Sequence, residues 1–296
     1  MSDQYVNGGA KVFNTKSTLW RFAAALKRHG MAHLNEVEVI AHAKVPIVKY
    51  IEKRSGLKMD ISFENITGVE AISTFKAWKE QYPAMPILVT LIKHFLCMRG
   101  LNEPVNGGIG GFSVICLVVS MLQMMPQVQS QNMKPAHHLG ELLMEFFDLY
   151  GNRFNFHDVA ISLNPPKYIP KVRTYDRNML KTTASLMLLQ NQITAFAYHN
   201  TDRLSIVDPN NTENDIAGGS KNYARIASMF SEAHQLLQER MSELTEQEDR
   251  HDASILQVIL AGNYSSFRYQ RDHLRRLHEH GLDFEAREKG HRHTKW

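Results

Sequence analysis

Residues 112–125 read FSVICLVVSMLQMM, a run without a single charge, and Gly107, Gly108, Gly110 and Gly111 stand immediately before it. A helix that spans a bilayer needs about 20 apolar residues, so this run is too short to cross and reads as a helix buried on every side. Such a helix must be wrapped by others, because none of its faces can be left to water. The neighbouring sequence supplies them: helical spacing recurs over 69–82, 86–99, 139–149 and 222–244. With 296 residues, 43% of them hydrophobic and 22% charged, the chain has enough apolar material for one large or two modest domains. No longer uncharged apolar run occurs, which argues against a membrane protein.

Upstream of residue 66 the period changes. Residues 18–29 carry Leu19, Phe22, Ala23 and Leu26 at helical spacing, and strand-like runs follow at 37–41 and 45–51. A third run, 57–63, alternates Leu57, Met59, Ile61 and Phe63 with Lys58, Asp60 and Ser62. Asp60 is thereby placed on the face opposite the apolar residues, which suits a solvent-facing residue as well as a catalytic one. Further on, 126–135 is a Gln-rich connector, the three prolines of 164–170 predict a rigid loop, 204–220 a turn-rich loop and 253–280 a last helix.

Cys97 and Cys116 form no CxxC pair, so neither a disulfide framework nor a structural zinc site is expected, and a reducing compartment fits. The opening residues, MSDQYVNGG, have no basic-then-apolar signal pattern, which predicts a protein that stays inside the cell. A net charge of +4 permits an anionic partner without requiring one. Much of the basic excess lies near the end, in Arg268, Arg271, Arg275, Arg276, Arg287, Lys289, Arg292 and Lys295. Phosphate contact and a solvated terminal helix are both open readings of that tail. His278, His280, His291 and His293 lack the cysteine or carboxylate frame of a metal site.

Two local patterns bear on chemistry. Glycines at a helix entry let backbone N–H groups approach a phosphate and aim the positive end of the helix at it, although a plain turn has the same composition. Lys93 interrupts an otherwise apolar helical stretch and must either snorkel to water or meet an anion. The loop DPNNTENDI, 208–216, is a turn in composition, yet an amide such as Asn214 can donate and accept together at a base edge.

Five segments, in order, carry a resemblance: EVIAHAKVPIVKYIEKRSGLKMDISF (38–63), LIKHFLCMRGL (91–101), NGGIGGFSVICLVVSML (106–122), LGELLMEFFDLYG (139–151) and LSIVDPNNTENDIAGGS (204–220). Together they resemble the palm and central domains of fungal non-canonical poly(A) polymerases of the TRAMP type, in the DNA polymerase β-like nucleotidyltransferase superfamily. The resemblance implies an α+β fold: a partial nucleotidyltransferase palm, a mixed β-sheet with helices, over 1–65, and a larger, mainly helical central domain over 66–262. The nucleotide-recognition loop is 204–220, and a basic C-terminal tail covers 263–296. The implied activity is polynucleotide adenylyltransferase: AMP passes from ATP to RNA 3′ ends in nuclear RNA processing and surveillance, with two Mg²⁺ or Mn²⁺ ions.

By resemblance, Asp60 is the third of the family's metal carboxylates. Lys93, Gly107, Gly110, Gly111 and Ser113 are phosphate-side positions, Phe112 stacks on the base or packs in the core, and Asp208, Asn214 and Asp215 form the recognition loop. Cys97 stands where some relatives carry a second phosphate-binding lysine. The amide at Asn214, where uridylyl-transferring relatives tend to have histidine, leans toward ATP. The family's Gly-Ser motif and Asp-x-Asp pair are missing; Asp3 is no substitute, since its partner position is Tyr5. The expectation is a chain truncated at its amino terminus and inactive alone, with a nucleotide- or RNA-binding scaffold as the alternative. Residues 176–202 are longer than this interval should be, as a retained intron or lineage-specific insertion would make them. Expected partners are an RNA 3′ end, a zinc-knuckle RNA-binding protein and an RNA helicase, in the nucleus and including the nucleolus.

Overall fold

The computed structural model describes residues 15–42, 45–63, 67–171, 202–246, 253–260 and 262–279. The expected long interval 176–202 lies, except for Asp202, outside them, as do Asp3 and the last four basic residues of the tail. The chain divides into two compact units, Met1–Val69 with Gly262–Trp296, and Glu70–Ala261.

In the first unit, helix α1 (Thr15–Arg28) leads into β1 (Ala32–Ile40), β2 (Ile47–Glu52) and β3 (Lys58–Ser62). Their order is β1-β2-β3, and among the described residues all pairing in this sheet is antiparallel. The expected spacing of α1 holds: Leu19, Ala23 and Leu26 are buried against Val48 and Tyr50, with Phe22, Val39 and Ile61 closing the edge of the cluster. Phe22 meets Phe63 edge to face at 5.4 Å between centroids, a favourable arrangement for two ring quadrupoles. Val39, Val48 and Ile61 are register partners on this face, while Glu38, Lys49 and Asp60 form the next row, on the opposite face.

The second unit contains all but the first three residues of α2 (Thr67–Gln81), then α3 (Met85–Met98), α4 (Gly111–Met124), α5 (Leu139–Asp148), the hairpins β4 (Val159–Leu163) with β5 (Pro166–Pro170) and β6 (Val207–Asp208) with β7 (Asn211–Asp215), and α6 (Tyr223–Glu246). Helix α4 is buried on all sides, with Val114, Cys116, Leu117, Val118, Val119, Met121 and Leu122 inside the core, as its uncharged sequence requires. Around it, Phe95, Phe146, Phe147 and Phe230 form one aromatic cluster with centroid distances of 5.1 to 6.0 Å. Tyr150, in the five-residue π turn that follows α5, is fully buried, and its hydroxyl donates to the Leu117 carbonyl at 2.7 Å. It is a core residue.

Three expectations for local structure need correction. The proline-rich segment is a strand, β5, not a loop. Its prolines sit at the strand ends, opposite Leu163 and Val159, and among the described residues β5 pairs only with β4, so the missing N–H groups interrupt no central ladder there. The loop 204–220 contains the β6–β7 hairpin, because Asp208 and Asn211 satisfy the turn with their own side chains. The helix expected over 253–280 is divided into a single turn at Leu256–Val258 and α7 (Ser265–Glu279). Asn263 restarts it by accepting the Ser265 N–H on its side-chain oxygen at 2.9 Å. Helix α7 belongs to the first unit, where Gln270 donates to Gly56 O and the His273 ring bonds Arg54 O, both in the β2–β3 turn.

Candidate nucleotide site

The glycine series places its backbone by close approach. A Cβ on Gly108 would lie 2.3 Å from the Leu101 carbonyl oxygen, and Gly107 adopts φ +80 with Asn222 against it. Asn222, the residue before α6, fixes this turn, donating its side-chain amide to Asn106 O and its backbone N–H to Gly107 O, each at 2.9 Å. Gly110 then caps α4 with extended backbone and no side-chain cap. The first-turn N–H groups of α4 are thereby left without a capping acceptor from residue 110. Lys93 crosses from α3 so that its Nζ lies 3.2 Å from where a Cβ on Gly111 would be. An ammonium at the positive end of a helix dipole is unfavourable by about 0.3–1 kcal/mol unless an anion joins them. Lys93, Gly110 and Gly111 together leave positive potential at the start of α4.

Phe112 is half-buried at the same helix start, with its ring edge-on to Phe75 at 5.1 Å and 82°. Ser113 is buried, and its hydroxyl donates to Ile216 O at 3.1 Å. It was expected beside a phosphate; here the hydroxyl is turned inward and fastens α4 to the segment that follows β7.

The β6–β7 hairpin holds itself. Asp208 is buried, accepting the Asn210 N–H at 2.9 Å on one oxygen and the Asn214 side-chain amide at 2.8 Å on the other. Asn214 is thus aimed by Asp208, while Thr74 of α2 donates to Asn210 at 2.8 Å. Asp215 accepts from the Ile206 and Ala217 N–H groups, both at 3.0 Å. Burial raises the Asp215 carboxyl pKa despite those bonds.

Two residues that no sequence pattern picked out support this hairpin. Lys171 is buried at the end of β5 and donates from Nζ to Phe156 O and to Arg203 O, the latter at 2.5 Å. Desolvation lowers its pKa to about 8, with Asp215, Asp158 and Asp202 opposing the shift. Arg203 donates to Gly218 O at 2.8 Å. Lys171 and Arg203 flank residues 172–201 in sequence, so only the fold brings them together.

Asp60 is in the other unit. Its side chain is 57% exposed, and Lys49 lies 3.7 Å away. Among the described residues no group of three or more His, Cys, Asp or Glu is placed to hold a metal ion. Asp60 with Lys49 as neighbour does not by itself fit a two-ion centre, which needs several carboxylate oxygens. An apolar cavity of about 840 Å³, lined by Ile87, Leu91, Met144, Leu237 and Met241, includes none of the expected nucleotide residues.

Among solved structures, the fold is similar to one described as the polymerase core of TRAMP, a RNA surveillance complex, with a TM-score of 0.70 and 35% identity over 86% of this chain and 74% of that one. The chain belongs to the non-canonical poly(A) RNA polymerases. Poly(A) RNA polymerase protein 2 of Saccharomyces cerevisiae is 37% identical over 250 residues, 83% of this chain and 39% of that protein. Poly(A) RNA polymerase protein 1 of Eremothecium gossypii is 37% identical over 244 residues, 82% of this chain and 36% of that protein. The chain thus spans about two-fifths of the length of the curated relatives it matches. Residues 138–214 match the Cid1 family poly A polymerase domain, and 4–80 match the central palm domain of mitochondrial-like poly(A) RNA polymerase. The expected α+β fold, with palm and helical central parts, is the one found, and the poly(A) RNA polymerases it matches are nucleotidyltransferases.

Proposed function

We propose that this chain is the nucleotide-binding and palm portion of a polynucleotide adenylyltransferase that transfers AMP from ATP to RNA 3′ ends in nuclear RNA processing and surveillance. The supporting observation is Lys93 held over the uncapped start of α4, a cation and a helix dipole that share one anion. In this reading the triphosphate lies against Lys93, Gly110 and Gly111, and the adenine ring stacks on Phe112, a contact worth about 1–3 kcal/mol. Asn214, aimed by Asp208, reads the base edge, and Asp215 and Ser113 hold the recognition hairpin to the core. Asp60 is the proposed carboxylate of a Mg²⁺ or Mn²⁺ centre that the described residues do not complete. In the cell the complex would include a zinc-knuckle RNA-binding protein and an RNA helicase, in a nuclear and nucleolar location.

A longer protein that includes this chain and supplies the further carboxylates should extend an RNA primer with ATP in preference to UTP. Absence of tailing with every triphosphate, in a folded sample, would reject the reading. For the chain by itself, Asp60 without further carboxylates grouped around it among the described residues favours binding without transfer. ATP at a hundred times its dissociation constant should stabilise it by about 2.7 kcal/mol, and Phe112→Ala should remove most of that gain. Thermal unfolding with and without ATP measures both, and an ATP response that Phe112→Ala leaves intact would place the base elsewhere.

A further inference from the structure

Helix α7 carries a feature that the nucleotide site does not use. Its docked side is Gln270, His273, Leu274 and Leu277, partly buried, with Gln270 and His273 bonded to the β2–β3 turn. On the solvent side Arg268, Arg271 and Arg275 are spaced three and four residues apart, which stacks them in one exposed stripe along the helix. Their guanidinium groups have no hydrogen-bond or ion-pair partner among the described residues. Helical geometry sets Phe267 and His278 along one edge of that stripe, and Asp272 and Glu279, four residues after Arg268 and Arg275, along the other. Phe267 is 56% exposed, with Tyr264 at 6.1 Å between ring centroids, while Tyr269 lies about 100° round the helix from Arg268.

Three aligned guanidinium groups are a row of bidentate phosphate donors, and the exposed Phe267 ring beside them offers a base-stacking platform. We propose that the outer face of α7 is a docking track for the single-stranded body of an RNA, with Arg268, Arg271 and Arg275 on successive phosphates and Phe267 under a base. The proposal rests on the reading of the protein as an RNA 3′-end polymerase only for the origin of the RNA. Because α7 is bonded to the turn between β2 and β3, the track and Asp60 belong to one compact unit. Asp60 is four residues from Gly56, on the order of 13 Å along an extended strand. RNA held on α7 would therefore be held by the unit that carries the palm carboxylate.

The test is fluorescence anisotropy of single-stranded oligoadenylate with the full chain across a potassium chloride series. Each phosphate neutralised on a single strand contributes about 0.7 to the salt slope, so R268Q/R271Q/R275Q should lower that slope by about 2 and weaken binding by about tenfold or more at low salt. The matching triple lysine variant should keep the slope, and F267A should weaken binding with the slope unchanged. Circular dichroism should show all variants folded, since every substituted side chain faces solvent. Equal affinity and slope in the triple glutamine variant would overturn the proposal. So would failure of the wild-type chain to bind RNA at low salt, or displacement of RNA by polyglutamate at equal charge concentration, which would mark an acidic-protein surface instead. Primer extension by the longer protein tests the polymerase reading separately: tailing that survives with an RNA affinity indifferent to the arginines sinks the track alone, and arginine-dependent binding without tailing sinks the polymerase alone.

Discussion

Lys171 brings an ammonium into a site where two carbonyl oxygens, Phe156 O and Arg203 O, replace water. Lys171→Met keeps the stem and leaves both carbonyls without that donor, at a cost of about 1–3 kcal/mol. Its pH dependence has a definite sign. The folded pKa, about 8, lies below the ordinary lysine value, so between pH 8 and about 10.4 the unfolded chain binds the extra proton. Stability contributed by Lys171 therefore rises with pH through that window and is smallest below pH 8. Urea unfolding of the wild type and Lys171→Met at pH 7.5, 9 and 10 should show the gap between them widening; a constant gap would contradict the desolvated setting. No sequence pattern points to this residue, because its partners lie on both sides of a thirty-residue interval, 172–201, and one lysine after a proline has no periodicity to read. Asp60 was different: the alternation of 57–63 assigns its face directly, and the register with Lys49 agrees.

The turn that starts α4 is determined by how near two backbones can come. At Gly108 a methyl group would meet Leu101 O at 2.3 Å and Leu101 C at 2.5 Å, neither of which is a flexible side-chain end. At Gly110 it would meet the Pro104 ring, Cγ at 3.0 Å and Cδ at 3.7 Å. Gly108→Ala should therefore cost about 2–3 kcal/mol and lower the melting temperature by roughly 4–12 °C, whereas Gly110→Ala should cost under about 1 kcal/mol. Thermal unfolding followed by tryptophan fluorescence compares the two; equal shifts would mean the turn can move. The glycines announced a turn before a helix, but their spacing did not separate the glycine that Lys93 approaches from the glycine that admits Leu101. Prolines misled for a related reason: Pro166 and Pro170 lie in a strand because, among the described residues, β5 has a neighbour on one side only, which is a property of the sheet.

The two units differ in how much core they own. Helix α4 is enclosed by aromatic and aliphatic side chains on all sides, whereas the three-stranded sheet is covered by α1 on one face and leaves Leu57 and Met59 exposed. Native-state hydrogen exchange should find the amides of α3 and α4 protected up to the global unfolding free energy, and those of β3 opening at lower cost. Equal protection would show that the sheet draws on stability its own contacts do not explain. What the sequence alone determined was local and periodic: a central helix without charge, amphipathic helices to wrap it, an alternating strand that presents Asp60, and ordered motifs sufficient for the family. Those follow from hydrophobic spacing and from residue types that chemistry requires at short range. Only the tertiary structure decided that Ser113 turns inward to Ile216, that Lys171 and Arg203 close the base of the β6–β7 hairpin, and that α7 is bonded to the β2–β3 turn with its arginines outward. Each of these joins residues far apart in the chain, and hydrogen bonding between distant segments leaves no period in a sequence.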